Sequence, residues 1–130
     1  MKKISLDTNA VLRFLLNDVS SQHKKVKTLV TKASRKEIAL NIPEIVVFET
    51  IFALTTYYGF DKNRVIDAVE TITSAHYLDV ENRKFFLEGI NLFRQSKVEF
   101  VDCFLVAKCT HGGYELFSFD KKLLKLINSL

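Results

Sequence analysis

The sequence predicts a single α/β/α domain over residues 1–130, built on a short, mainly parallel sheet of four or five strands. Three observations carry this. Short runs of aliphatic and β-branched residues alternate with longer stretches whose apolar residues recur at helical spacing. Breakers are rare, with one Pro and four Gly in the chain, so no long linker divides it. A chain of this length can also bury roughly two-thirds of its unfolded surface in one core. Strands alternating with helices imply a sheet covered on both faces.

The elements follow in order. Lys3 to Leu6 reads as a strand that stops at Asp7-Thr8-Asn9, and Ala10 to Leu16 as a helix entered directly from it. Ser20 or Ser21 is the expected N-cap of a second helix through about Ala33, with Val26, Leu29 and Val30 facing inward. Glu37 to Ile42 is a second strand. Pro43 suits a helix start, and the apolar segment that follows closes at Gly59. Asp61 is expected to cap a helix through about Ala75, with Val65, Ile66, Val69 and Ile72 inside. His76 to Val80 reads as a third strand, Asn82 to about Ser96 as a helix, and Glu99 to about His111 as another. Gly112-Gly113 ends that helix, Tyr114 to Phe119 is expected as a fourth strand, and Asp120 opens a final lysine-rich helix.

Hydrophobic residues make up 48% of the chain and charged residues 26%, which excludes a disordered protein. No window offers the roughly 20 uncharged apolar residues of a membrane span. The N-terminus, Met1-Lys2-Lys3-Ile4, lacks the apolar stretch of a signal peptide. A cytoplasmic protein without a membrane association is expected. Cys103 and Cys109 fall within one helical segment, where a disulfide has poor geometry; with His111 they match no structural zinc spacing. They are expected as buried thiols. The net charge of +4 suits an anionic partner but is also ordinary for a soluble surface.

The chemistry is carried by lone acids within apolar segments. Asp7 follows Ile4-Ser5-Leu6. Glu49 is embedded in Ile45-Val46-Val47-Phe48-Glu49-Thr50-Ile51-Phe52. Asp102 is embedded in Phe100-Val101-Asp102-Cys103-Phe104. A buried carboxylate costs several kcal/mol, of order 3–5, unless it is paired or bound to a cation. Arg13 is the only basic residue inside an apolar run near any of them. In open α/β sheets, sites form beyond the carboxyl ends of the strands, so Asp7 and Asp120 are expected at one edge. A divalent cation would satisfy all four acids together. Hard oxygen ligands select Mg²⁺, with Mn²⁺ as a substitute, and such an ion suits attack of water on a phosphodiester. Glu99 lies three residues before Asp102, so on a helix the two share a face. Taken singly, each acid has a plainer role: Asp7 and Asp120 as helix N-caps, Glu49 and Asp102 as partners of lysines.

With those motifs in order, the sequence resembles the PIN-domain ribonucleases, specifically the VapC-type toxins of bacterial and archaeal toxin–antitoxin pairs. The resemblance rests on Leu6-Asp7-Thr8-Asn9, on Glu49 after the second strand, on Glu99-Phe100-Val101-Asp102-Cys103, and on Phe117-Ser118-Phe119-Asp120-Lys121-Lys122. It covers essentially the whole chain. It implies a PIN-like fold and carries over Asp7, Glu49, Asp102 and Asp120 as acidic catalytic and metal-binding residues, with Asn9 and Ser118 in supporting roles. Many members have Asp where this chain has Glu99. The resemblance further implies Mg²⁺-dependent cleavage of single-stranded RNA, a cognate antitoxin protein as inhibitor, and a homodimer.

Lys121 and Lys122 adjoin an acid of the motif and are the expected RNA-binding cations. Lys24, Lys25, Lys27, Lys32, Arg35 and Lys36, around the second helix, read as a solvated face. Phe85, Phe86 and Phe93 are expected in the core or at a dimer interface. Two rival readings stand beside the ribonuclease. A phosphatase with an aspartate nucleophile would want a second Asp two residues after Asp7, where this chain has Asn9. A non-catalytic RNA- or protein-binding module on the same fold would not need four acids.

Overall fold

The computed structural model describes all 130 residues and divides into two compact units, Met1–Glu81 and Asn82–Leu130. The first contains β1 (Lys2–Ser5), α1 (Thr8–Leu15), α2 (Ser20–Ser34), β2 (Ile38–Ile42), α3 (Glu44–Thr56), α4 (Lys62–Thr73) and β3 (Leu78–Val80). Its sheet is fully parallel in the order β1-β2-β3, with Lys2 opposite Ile38 and Ile42 opposite Val80. The central strand is the apolar one: Leu40 and Ile42 are buried. β1 is an edge strand, exposed at Lys2, Lys3 and Ser5. The chain leaves it through Leu6, which is buried and donates its N–H to the Asn41 carbonyl at 2.9 Å.

The helices of this unit follow their apolar stripes. Val26, Val30 and Ala33 of α2 are buried, and so are Val65, Ile66, Val69 and Ile72 of α4. Asp61 caps α4 by accepting from the Arg64 N–H at 2.9 Å. The expected serine cap of α2 is not formed. The His23 N–H bonds the Val19 carbonyl, which makes Val19 the N-cap and draws Ser20 and Ser21 into the first turn, where their side chains cap nothing.

The second unit contains α5 (Arg83–Gln95), α6 (Phe100–Gly112) and α7 (Lys121–Asn128). α5 and α6 meet through aromatic rings: Phe86 lies 4.7 Å from Phe104 between centroids and stacks on Phe100 at 6.1 Å. Gly89 permits this approach, since a Cβ there would stand 3.4 Å from the Phe104 backbone. Phe86 is fully buried, which fits its expected place in the core. Leu123 of α7 packs with Val98, Cys103 and Val106. Both cysteines are buried and free. Gly113, at φ 70°, takes the left-handed conformation that ends α6.

The α/β class and the parallel sheet agree with the sequence reading, but the sheet has three strands rather than four or five. Residues 114–119 are not a strand. The N–H groups of Glu115–Phe119 have no backbone partner, and Phe117 and Phe119 are 86% and 91% exposed. Aromatic and aliphatic alternation favours a strand only where a neighbouring ladder receives it. No helix is long and apolar enough to cross a membrane.

Candidate active site

In the first unit, Asp7 sits just beyond the carboxyl end of β1 and caps α1. Its Oδ1 accepts from the Ala10 N–H at 2.8 Å, with the backbone extended as an N-cap requires. The next residue reaches across to α3: Thr8 Oγ1 donates to Glu49 Oε2 at 2.8 Å. Asp7, Thr8, Asn9 and Glu49 share an open cleft of about 580 Å³, walled on one side by Phe52 and Tyr58. The structure therefore brings Asp7, Asn9 and Glu49 together. Arg13 is turned to other partners, donating to Asp18 at 2.9 Å and to the Tyr58 hydroxyl at 2.8 Å.

One sequence expectation is corrected here. Asp7 and Glu49 are exposed rather than buried. α3 is apolar nearly all round, but Ile45 and Phe52 on the face of Glu49 are 62% and 60% exposed. An apolar neighbourhood in sequence did not mean a covered face, so the desolvation penalty assigned to these two carboxylates does not arise.

The second unit holds the other acids. Asp102 lies in the first turn of α6 and is half-buried. Glu99 precedes that helix; its carbonyl accepts from the Asp102 and Cys103 N–H groups while its carboxylate caps nothing. Burial raises the proton affinity of Asp102 above the usual carboxylate range, and the charges of Asp120 and then Glu99 raise it further. Asp120 and Glu99 are thus both near enough for Asp102 to feel their charges. Asp120 is the N-cap of α7, with Oδ1 accepting from the Lys122 and Leu123 N–H groups at 2.9 and 3.2 Å. Its own N–H donates to Ser118 Oγ at 3.0 Å. Ser118 thereby fixes the turn that presents Asp120. Lys121 and Lys122 are exposed on the first turn of the same helix. Because residues 114–119 lie outside the sheet, strand order does not account for the position of Asp120, as the sequence had suggested; its cap does.

No group of three or more His, Cys, Asp or Glu side chains forms a ready-made metal cage. The donor chemistry of the second unit nevertheless fits a hard divalent cation. It consists of carboxylate oxygens, and burial together with the charges of Asp120 and Glu99 already disfavours the ionised form of Asp102. Sequence reading missed Thr8 and Tyr58. Thr8 lies inside the Asp7-Thr8-Asn9 motif, so its position was marked, but a bond to a residue 41 positions away was not.

Two comparisons bear on these residues. The family model of the PIN domain matches residues 4–127, a span that contains Asp7, Glu49, Asp102 and Asp120. A VapC ribonuclease of Aquifex aeolicus (strain VF5) is 31% identical over 125 residues, covering 93% of this chain and 90% of that protein. The four acids, in the order and spacing that first suggested the resemblance, lie within the family match, and the chain belongs to the PIN-domain family as a VapC-type member.

Proposed function

We propose that this protein is a metal-dependent endoribonuclease that hydrolyses phosphodiester bonds of single-stranded RNA, and that it acts as the toxin of a toxin–antitoxin pair. The kinship with a protein named as a ribonuclease supports the reaction class. The observation that carries the site is the raised proton affinity of Asp102 beside Asp120 and Glu99. A carboxylate whose ionised form is opposed by two neighbouring carboxylates is suited to a divalent ion. Mg²⁺ is the favoured ion on ligand hardness, with Mn²⁺ as a substitute.

In this reading Asp102 and Asp7 ligate the ion directly, and Glu49 and Asp120 complete the set, directly or through water. A bound Mg²⁺ supplies an acidified water and offsets negative charge developing on phosphorus. The chain's own residues do the rest. Thr8 holds the Glu49 carboxylate in one orientation through its hydroxyl. Ser118 and the first turn of α7 hold Asp120. Glu99 adds charge beside Asp102 and serves as an auxiliary ligand. Asn9 offers its amide to substrate or water in the cleft. Lys121 and Lys122 bind the phosphates of RNA on either side of the cut bond. Residues 1–130 act as one functional domain, in the cytoplasm, as a homodimer restrained by a cognate antitoxin.

Purified protein incubated with single-stranded RNA tests this. Wild type is expected to cleave with Mg²⁺ or Mn²⁺ and not with a chelator. Asp7→Asn keeps the helix cap, since Asn caps as well as Asp, and is expected to be inactive and harmless to growth. Growth arrest by Asp7→Asn at matched expression would replace the ribonuclease with the non-catalytic RNA- or protein-binding module.

A further inference from the structure

The positive charge of the chain is concentrated on one helix of the first unit. Residues 24–36 carry six basic side chains and no acidic one, whereas the whole chain is only +4, so everything outside that stretch is net −2. On α2 the buried residues Val26, Val30 and Ala33 form one stripe, and Lys24, Lys27, Lys32 and Arg35 fall on the opposite face by helical spacing. These four line a single open hollow of about 580 Å³ together with Thr28 and Thr31. None of the four forms an ion pair, although Glu37 lines the same hollow. Like charges three residues apart repel, and the first turn of α2 holds no acid to offset them. A helix face that serves only solvation ordinarily mixes the two signs.

We infer that the outer face of α2 is a track for the phosphate backbone of RNA, separate from Asp7 and Glu49 and reached from their cleft past Lys25. The inference rests on the ribonuclease reading of that cleft. Asn9 supplies the link, because it lines the cleft of Asp7 and Glu49 and also a second hollow shared with Gln22 and Lys25 of α2. Arg13 lines that second hollow too, but its guanidinium is engaged by Asp18 and Tyr58. Lys25 forms no ion pair and is the cation with donors to offer there. Lys32 follows two turns beyond Lys25 on the same side of the helix, and Lys25 to Arg35 covers about 15 Å at 1.5 Å per residue. The chemistry of this face is that of backbone binding, not of base reading. Thr28 and Thr31 donate their hydroxyl protons to the Lys24 and Lys27 carbonyls, each at 2.9 Å, which leaves the cations as the only side-chain donors of the hollow. No aromatic ring lines it to stack a base. Such a surface holds phosphates, so it grips RNA of any sequence and keeps the strand at the cleft.

The full-length protein carrying Lys24→Gln, Lys25→Gln, Lys27→Gln, Lys32→Gln and Arg35→Gln together tests this. All five side chains are exposed, and far-UV circular dichroism checks that the fold is kept. Binding to a labelled single-stranded RNA is read by fluorescence anisotropy at several salt concentrations, in chelator so that no cleavage intervenes. Each lost phosphate contact lowers the slope of log affinity against log salt by about 0.7. The variant is therefore expected to lose about three in slope, and on the order of a hundredfold in affinity at about 0.1 M salt. The charge-preserving set Lys24→Arg, Lys25→Arg, Lys27→Arg, Lys32→Arg and Arg35→Lys is expected to bind as wild type does; weak binding by that set would overturn the inference, since charge would not be what RNA meets. Lys25→Gln alone is expected to remove one contact, and an unchanged slope there would detach the track from the cleft. Equal affinity and slope in wild type and the five-site Gln variant would return α2 to the solvated surface, while cleavage by wild type in Mg²⁺ would leave the ribonuclease reading standing. Failure of wild type either to bind or to cut RNA would remove both.

Discussion

The two units hold the same kind of residue in opposite electrostatic conditions. In the first, the chain itself satisfies each acid: Asp7 accepts a backbone N–H and Glu49 a threonine hydroxyl, and both face an open cleft. In the second, Asp102 is half-buried and faces two further carboxylates, so its charge is opposed rather than welcomed. What a carboxylate needs is set by the groups that face it after folding. The apolarity of its neighbours along the chain is a poor guide. Glu49 and Asp102 look alike in sequence and stand in different surroundings in the structure.

If the acids of both units serve one reaction, that difference must vanish in catalysis while persisting in stability. The largest expected effect is on rate. Asp102→Asn and Asp7→Asn should each reduce RNA cleavage by about a thousand-fold or more, because every member of a metal site acts as part of a unit. Single-turnover rates at saturating Mg²⁺ check this. A loss confined to Asp102→Asn would separate the units functionally.

A smaller effect is expected on metal-free stability, and here the units should differ. The folded state raises the proton affinity of Asp102 above its unfolded value near 3.8. Its contribution is therefore most favourable below that pH and is lost as pH rises through the raised value, which leaves the ionised group unfavourable at neutrality. Asp102→Asn should accordingly be at least as stable as wild type at pH 7 in chelator, with any gain shrinking as pH falls toward 3.8. Asp7→Asn exchanges one good cap for another and should leave the denaturation midpoint unchanged. Urea unfolding across pH reads both. A clear loss of stability in Asp102→Asn would mean that its carboxylate has a favourable partner in the fold.

The smallest effect concerns substrate. Lys121→Ala with Lys122→Ala should weaken RNA binding evenly across sequences and lower the slope of log affinity against log salt by about one to two. Binding measured at several salt concentrations checks it. An unchanged slope would return these lysines to the solvated surface.

Most of the fold could be read because helices declare themselves locally. The 3.6-residue stripes of α2 and α4 and the aspartate caps at Asp61 and Asp120 depend on neighbours a turn away. The failures were non-local. Tyr114-Glu115-Leu116-Phe117-Ser118-Phe119 has the composition of a strand, but a strand exists only with a partner, which composition does not name. α3 is apolar on every side, so its sequence could not say that the face of Glu49 with Ile45 and Phe52 stays open. The site was legible as a set of residue types in order. The hydroxyl that holds Glu49 and the serine that fixes Asp120 belong to geometry, and only the structure supplies them.

The most direct test of the account is the melting temperature of wild type, Asp7→Asn and Asp102→Asn titrated with Mg²⁺. An ion that binds only the native state raises stability in proportion to the logarithm of its concentration above the dissociation constant. Wild type should rise steadily with Mg²⁺, and each variant should lose most of that rise, although Asp7 and Asp102 belong to different units. An equal rise in wild type and Asp102→Asn would contradict the account, because the carboxylate under the greatest electrostatic strain would then hold no metal.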